Sequence, residues 1–186
     1  IWIVYSQWLI FVRVSYASQI LVMRVVIIGS GNVATVFGRL LKRKGHQIVQ
    51  VISRNGDHAK ILADELQCPF SDNNNAVDMD AEVYLVAVND GALYELNKSF
   101  HLGRKLIVHT AGSVPKDILQ NISLNYGVLY PLQSLRKEMD YPADIPFLID
   151  GNTEETMTLI GDFAQTISGT VAKAGDEERL KLHVAA

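Results

Sequence analysis

The chain has 186 residues, is 48% hydrophobic, and carries a net charge of −3 from 17 basic and 20 acidic residues. That length suits one α/β domain with a small appendage and is enough for a continuous core. Its basic residues are scattered, with no stripe of the kind a nucleic-acid partner needs. Its single cysteine, Cys68, excludes a disulfide framework and a thiolate metal cluster, so a reducing, cytoplasmic setting is expected.

Residues 1–22 are mostly apolar and hold Arg13 as their only charge, together with both tryptophans, Trp2 and Trp8. Ser6, Gln7, Arg13, Ser15, Ser18 and Gln19 interrupt the run before it reaches spanning length, so no membrane partner is expected. A basic start and a good small-x-small cleavage site are also missing, although Ala17 and Ser18 leave a signal peptide faintly open. The expected natural start is Met23, with residues 1–22 as translated upstream sequence. The alternative is a hydrophobic extension packed on the domain or on a partner.

From Met23 the pattern sharpens. Arg24 to Ile28 reads as a strand buried on both faces. Gly29-Ser30-Gly31-Asn32-Val33-Ala34 turns the chain into a helix whose Val33, Val36, Phe37, Leu40 and Leu41 recur at helical spacing. Strand, glycine turn and helix together give the G-x-G-x-x-A form of the dinucleotide fingerprint. Gly29 permits the turn, Gly31 admits a pyrophosphate, and Ala34 lets helix and sheet approach; the helix start offers unpaired amides.

A strand over Gln47 to Ile52 follows, then a helix from about Asp57 to Leu66, a very short strand near Cys68 to Ser71, and a strand over Ala81 to Val88. Next come a helix over Gly91 to Lys98, a strand over Lys105 to Thr110, and a short helix through Leu119. Tyr126 to Leu129 and Pro146 to Asp150 read as strands, Thr153 to Ile167 as an amphipathic helix, and Thr170 to Lys173 as a last strand. This βαβ alternation predicts an α/β, Rossmann-like, doubly wound and mostly parallel sheet over residues 23–173. Asp176 to Ala186 opens another helix without a closing signal. Residues 174–186 are therefore read as the truncated start of an all-helical domain.

The end of the second strand bears on cofactor choice. An NAD-preferring domain places an acidic residue about 20 positions beyond the fingerprint, yet Val49 to Arg54 has none and offers Ser53 and Arg54. A hydroxyl and a guanidinium suit a 2′-phosphate, so NADP is expected over NAD; the bland reading is an exposed loop arginine. Asp57 could instead reach the ribose or pair with Arg54. Val88 and Asn89 close the fourth strand at the ligand edge of the sheet, and Asp90 reads as a cap for the next helix. His109 is the first choice for a proton donor, with Ser113 to orient it; a strand-end histidine satisfied by backbone is an equal alternative. The five histidines show no metal spacing, and Ser113 lacks a hydrolase elbow. Tyr130 and Gln133 could face the same crevice or simply pack it; Arg179 and His183 read first as part of a solvated helix face, and could reach the crevice if the last helix swings over the sheet edge.

Together, I-G-S-G-N-V-A, I-S-R, V-A-V-N-D, V-H-T-A-G-S, G-V-L-Y-P-L-Q-S and D-E-E-R-L-K-L-H-V-A-A resemble Rossmann-like oxidoreductases of the DUF2520 type. These are distant relatives of the pyrroline-5-carboxylate reductases and F420-dependent NADP oxidoreductases. The resemblance runs from Met23 to Ala186. It implies an NADP-type Rossmann domain followed by a helical domain, beginning near Ala174, through which the full-length protein would form a homodimer. It also implies cofactor contacts from Gly29, Ser30, Gly31, Asn32, Val33, Ser53 and Arg54, with His109, Ser113, Tyr130 and Gln133 as crevice residues. Asp176, Arg179 and His183 match the opening helix of the second domain. No substrate comes with the resemblance. The expectation is an NADPH-dependent oxidoreductase of a small carbonyl, imine or hydroxy compound; the rival is a non-catalytic dinucleotide sensor or assembly module.

Overall fold

The computed structural model describes residues 22–96, 100–138 and 144–185. The expectation for residues 1–22 therefore falls almost wholly outside the described residues. Eight strands form one sheet in the order β3-β2-β1-β4-β5-β6-β7-β8. They are β1 (Arg24–Ile28), β2 (Gln47–Ile52), β3 (Phe70–Ser71), β4 (Val83–Val86), β5 (Gly103–His109), β6 (Ser123–Pro131), β7 (Phe147–Gly151) and β8 (Val171–Lys173). All neighbouring pairs run parallel except β6 and β7, so the expected mostly parallel α/β fold is what the chain adopts. Chain order reverses at β1, which lies between β2 and β4, and this is where an open α/β sheet forms its ligand crevice.

The helices are α1 (Asn32–Arg43), α2 (Gly56–Leu66), α3 (Asp90–Leu96), α4 (Glu154–Ile167) and α5 (Asp176–Ala185). Alternate strand residues feed two cores, as the twofold period of a strand requires. Val25, Ile27, Val83, Leu85 and Val108 face α1, α2 and α4, whereas Val26, Ile28, Tyr84, Val86 and Ile107 face α3 and the 3₁₀ turn at Lys116–Leu119. Phe37 of α1 packs on Phe147 of β7 with ring centroids 5.3 Å apart, tying the two ends of the first core together.

The ends of the elements show where pattern reading slipped. Helix α2 starts one residue early because Asn55 caps it, accepting from the His58 amide at 3.0 Å. Strand β6 runs on through Pro131, since its antiparallel partner β7 pairs Pro131 with Phe147. Asp90 does not cap α3; Asn89 does, its side-chain oxygen accepting from the Ala92 amide at 2.9 Å. Among the described residues no helix is long and apolar enough to cross a membrane.

Candidate active site

The glycine turn between β1 and α1 divides one long cleft at the C-terminal edge of the sheet. Gly29 has φ +121°, and a Cβ there would lie 2.1 Å from the Ala87 carbonyl oxygen, so β1 and β4 close together only over glycine. Gly31 differs: nothing lies within 4 Å of where its Cβ would be. No side chain caps α1, and its first turn carries no acidic residue. The amides that start a helix lack intrahelical partners, and here they face open space with a favourable dipole for an anion.

On one side of the turn lies a cavity of about 530 Å³ bounded by Gly29, Ser30, Ser53, Arg54, Asn74 and Glu95, with Val88 and Asn89 on the shared wall. The Ser30 hydroxyl donates to Ser53 Oγ at 2.8 Å. Arg54 pairs with Glu95 at 2.7 Å, not with Asp57, and both side chains are mostly exposed. A 2′-phosphate there would meet a hydroxyl pair and a guanidinium free to swing from one carboxylate. Glu95 was not anticipated; on sequence it is one more exposed helix residue.

On the other side lies a cavity of about 430 Å³. Its walls include Asn32, Val33, Asp90, Thr110, Ala111, Gly112, Tyr130, Gln133, Ser134 and His183. Five separate elements contribute. Tyr130, at the end of β6, is hydrogen-bonded to Nδ1 of His183 on α5 at 2.8 Å, with the rings edge to face at 5.6 Å. Ser113 donates to Asp90 at 2.5 Å across the rim.

His109 and Arg179 do not line this cavity. His109 is fully buried; its Nδ1 accepts from the Ala111 amide at 3.2 Å, which puts the neutral ring's proton on Nε2, where the Pro115 carbonyl is near enough to favour the charged ring but outside hydrogen-bond geometry. Burial, then the charge of Arg179, pushes its pKa down to about 4 against weaker upward pulls from the Pro115 carbonyl, Asp176 and Asp90. The ring is thus neutral at pH 7 and holds the loop under the cavity floor. Arg179 is 1% exposed and turned inward. It donates to the carbonyls of Gly112 at 3.3 Å and Val114 at 2.7 Å and to Asp176 at 2.6 Å. Lys116 completes the cluster, 3.0 Å from the buried Asp150 carboxylate. Burial works against the Lys116 ammonium, yet its bond to Asp150 and the charges of Asp150 and Asp176 hold its pKa above the usual value. Asp150, at the end of an apolar strand, was likewise not anticipated.

The sheet order, the glycine turn and the divided cleft define a Rossmann-like α/β domain. Residues 24–112 match the family described as NADP oxidoreductase, coenzyme F420-dependent. The crystal structure of a Bacteroides fragilis protein assigned as an NADP oxidoreductase is 35% identical with a TM-score of 0.83, over 90% of this chain and 66% of that one. The 1-pyrroline-5-carboxylate reductase of Streptococcus pyogenes is 14% identical with a TM-score of 0.66, covering 84% and 60%. The imine reductase of Myxococcus stipitatus, in complex with NADP+, is 14% identical with a TM-score of 0.64, covering 87% and 59%. Those two likenesses concern the fold alone. This chain thus spans about two thirds of the length of the first of these proteins and about three fifths of the others. Among curated proteins nothing matches. The family match and the Bacteroides relative support a Rossmann-like oxidoreductase that binds a pyridine nucleotide.

Proposed function

We propose that the chain is the cofactor-binding part of an NADPH-dependent oxidoreductase, of the DUF2520 type, acting on a small carbonyl, imine or hydroxy compound. The observation that carries this reading is the empty space at Gly31 in front of the uncapped start of α1, joined to a cavity on each side. Gly31, Asn32 and Val33 would hold the diphosphate by their amides, and Ser53 and Arg54 the 2′-phosphate of the adenosine half. Val88 and Asn89 would pass the chain of the cofactor between the two cavities. The cofactor supplies the hydride; the protein supplies orientation and a shielded cavity. Helix α5 leaves Leu180 and Val184, one turn apart on one face, exposed, an apolar surface that a following helical domain would cover in a cytoplasmic homodimer.

Titration of the chain with NADPH and NADH tests the reading. NADPH is expected to bind more tightly, and Arg54→Ala to shrink the gap by about 1–3 kcal/mol, the scale of hydrogen bonds to a charged group. Equal affinities for both cofactors, before and after the substitution, would end the NADP preference; no binding of either would end the reading itself. Saturable binding without turnover of any carbonyl or imine would favour a dinucleotide sensor.

A further inference from the structure

The cavity beyond the glycine turn contains one pair of titratable side chains in direct contact, Tyr130 and His183, and they come from elements 53 residues apart in sequence. The structure builds a seat for this contact. A Cβ on Gly112 would fall 2.5 Å from His183 Nδ1, so only glycine at that position admits the imidazole. Arg179, one turn earlier on α5, holds the Gly112 and Val114 carbonyls from the same helix face, fixing the loop against which His183 rests. Tyr130 is nearly buried while His183 is exposed, so the pair connects the cavity wall to solvent. The other polar pair on the rim, Ser113 and Asp90, satisfies itself and offers a carboxylate.

Charge on the cavity wall is one-sided. Asp90 is the only permanently charged residue among its described lining residues, because Arg179 and Lys116 are turned into the buried cluster with Asp150 and Asp176. No guanidinium or ammonium among the described lining residues meets an anionic substrate.

Building on the proposed oxidoreductase, we infer that Tyr130 is the proton donor of this cavity, with His183 as its relay to solvent, and that the substrate is an uncharged or cationic C=N or C=O compound, not an anion. His183 donates its Nδ1 proton to Tyr130 Oη, leaving the phenol proton free to point into the cavity. The substrate carbon accepts the two electrons and the proton of a hydride from NADPH, which is oxidised to NADP+. The C=N or C=O π pair moves to the heteroatom, which takes the phenol proton and becomes an amine or alcohol. The phenolate takes the Nδ1 proton as Nε2 takes one from water, so the imidazole stays neutral throughout, and exchange of its N–H proton between the two nitrogens through water resets the pair. In the oxidative direction each transfer reverses. Burial raises the phenol's pKa, and the charge of Arg179 partly offsets this, so the group stays protonated at neutral pH.

The test uses the full chain and two readouts. NADPH binding is measured by fluorescence titration for the wild type, Tyr130→Phe and His183→Asn. NADPH oxidation is measured with 1-pyrroline, 3,4-dihydroisoquinoline, uncharged aldehydes, and the anionic pyrroline-5-carboxylate as contrast. Expected are cofactor affinities within about twofold of one another and turnover of uncharged imines or aldehydes. Tyr130→Phe should lower kcat by about 100-fold or more, the scale of general acid catalysis. His183→Asn should change the shape of the pH profile and not only its height, which a purely structural loss would not do. Unchanged rates in Tyr130→Phe, preferred turnover of the anion, or NADPH binding with no turnover of the panel would each overturn the inference while leaving the cofactor site standing. Failure of the wild type to bind NADPH would instead remove the proposed function beneath it.

Discussion

The two halves of the cleft are built in opposite ways. The Arg54 side is made mainly from the two strand ends within residues 28–54, with Asn74, the turn after β4 and α3 closing it, and its key groups are backbone amides, two serines and Arg54. The Tyr130 side collects residues from α1, α3, the loop after β5, β6 and α5 beside a buried ionic cluster. A dinucleotide needs the same diphosphate cradle whatever the reaction, so local backbone geometry suffices for the first half. Selecting and protonating a substrate needs several side chains converging at one point, and only tertiary contacts hold them there.

Substitutions at the dividing turn, under the floor and at each rim would break or sharpen this contrast. Gly29→Ala should affect both halves at once. Its Cβ would overlap the Ala87 carbonyl in a backbone region that L residues avoid, so a loss of about 3 kcal/mol or more is expected in urea unfolding. An unfolding midpoint like that of the wild type would mean that β1 and β4 separate more readily than the structure shows.

Acid should act through the Tyr130 side. With a folded-state pKa depressed to about 4 from an unfolded value of 6.5, His109 binds its proton more readily in the unfolded chain. Stability should therefore be full above about pH 6.5 and fall as pH drops toward 4, by at most about 3 kcal/mol. His46, also lowered by burial, acts in the same direction. The depressed carboxylates Asp144 and Asp176 lose their contribution only at lower pH. His109→Asn keeps an acceptor for the Ala111 amide and should flatten the urea midpoint between pH 7 and 4.5; an unaltered slope would assign the acid sensitivity elsewhere.

Arg179→Met should cost about 2–3 kcal/mol, because two loop carbonyls and Asp176 lose a charged donor. Its sharper signature is in binding. NADPH, which would enter both cavities, should bind more weakly, while adenosine 2′,5′-bisphosphate, confined to the Arg54 side, should bind as before. Equal weakening of both ligands would show that the halves are mechanically one. The smallest effect is expected at Glu95→Gln. Exposed ion pairs contribute little, so releasing Arg54 should tighten NADPH by about 0.5 kcal/mol and leave NADH unchanged.

The sheet and the first half of the cleft were readable from β-branched runs, helical spacing and G-S-G-N-V-A because each depends on neighbours within a few residues. The errors lie where a distant partner decides. Strand β6 is longer than its pattern because β7 returns antiparallel beside it. Asn89 takes the cap from Asp90, which is engaged by Ser113 from 23 residues away. His109 was readable as a strand-end histidine, but periodicity could not show that its ring lies beneath the floor. Tyr130 and His183 were both visible as polar residues near a crevice; nothing in their spacing announced their contact.

For this chain, then, sequence alone determined that a glycine turn would join the first strand to the first helix and leave that helix start open, since torsion preferences and apolar periodicity act locally. Only the folded sheet decided which side chains face the second cavity. Arg179 turns inward because Asp176 and the Gly112 and Val114 carbonyls take up Nε and Nη2. Its Nη1, without a hydrogen bond, keeps the Asp150 carboxylate at 4.0 Å as counter-charge against the cost of burial. With that cation withdrawn, the neighbouring wall is left to a phenol, an imidazole and one carboxylate.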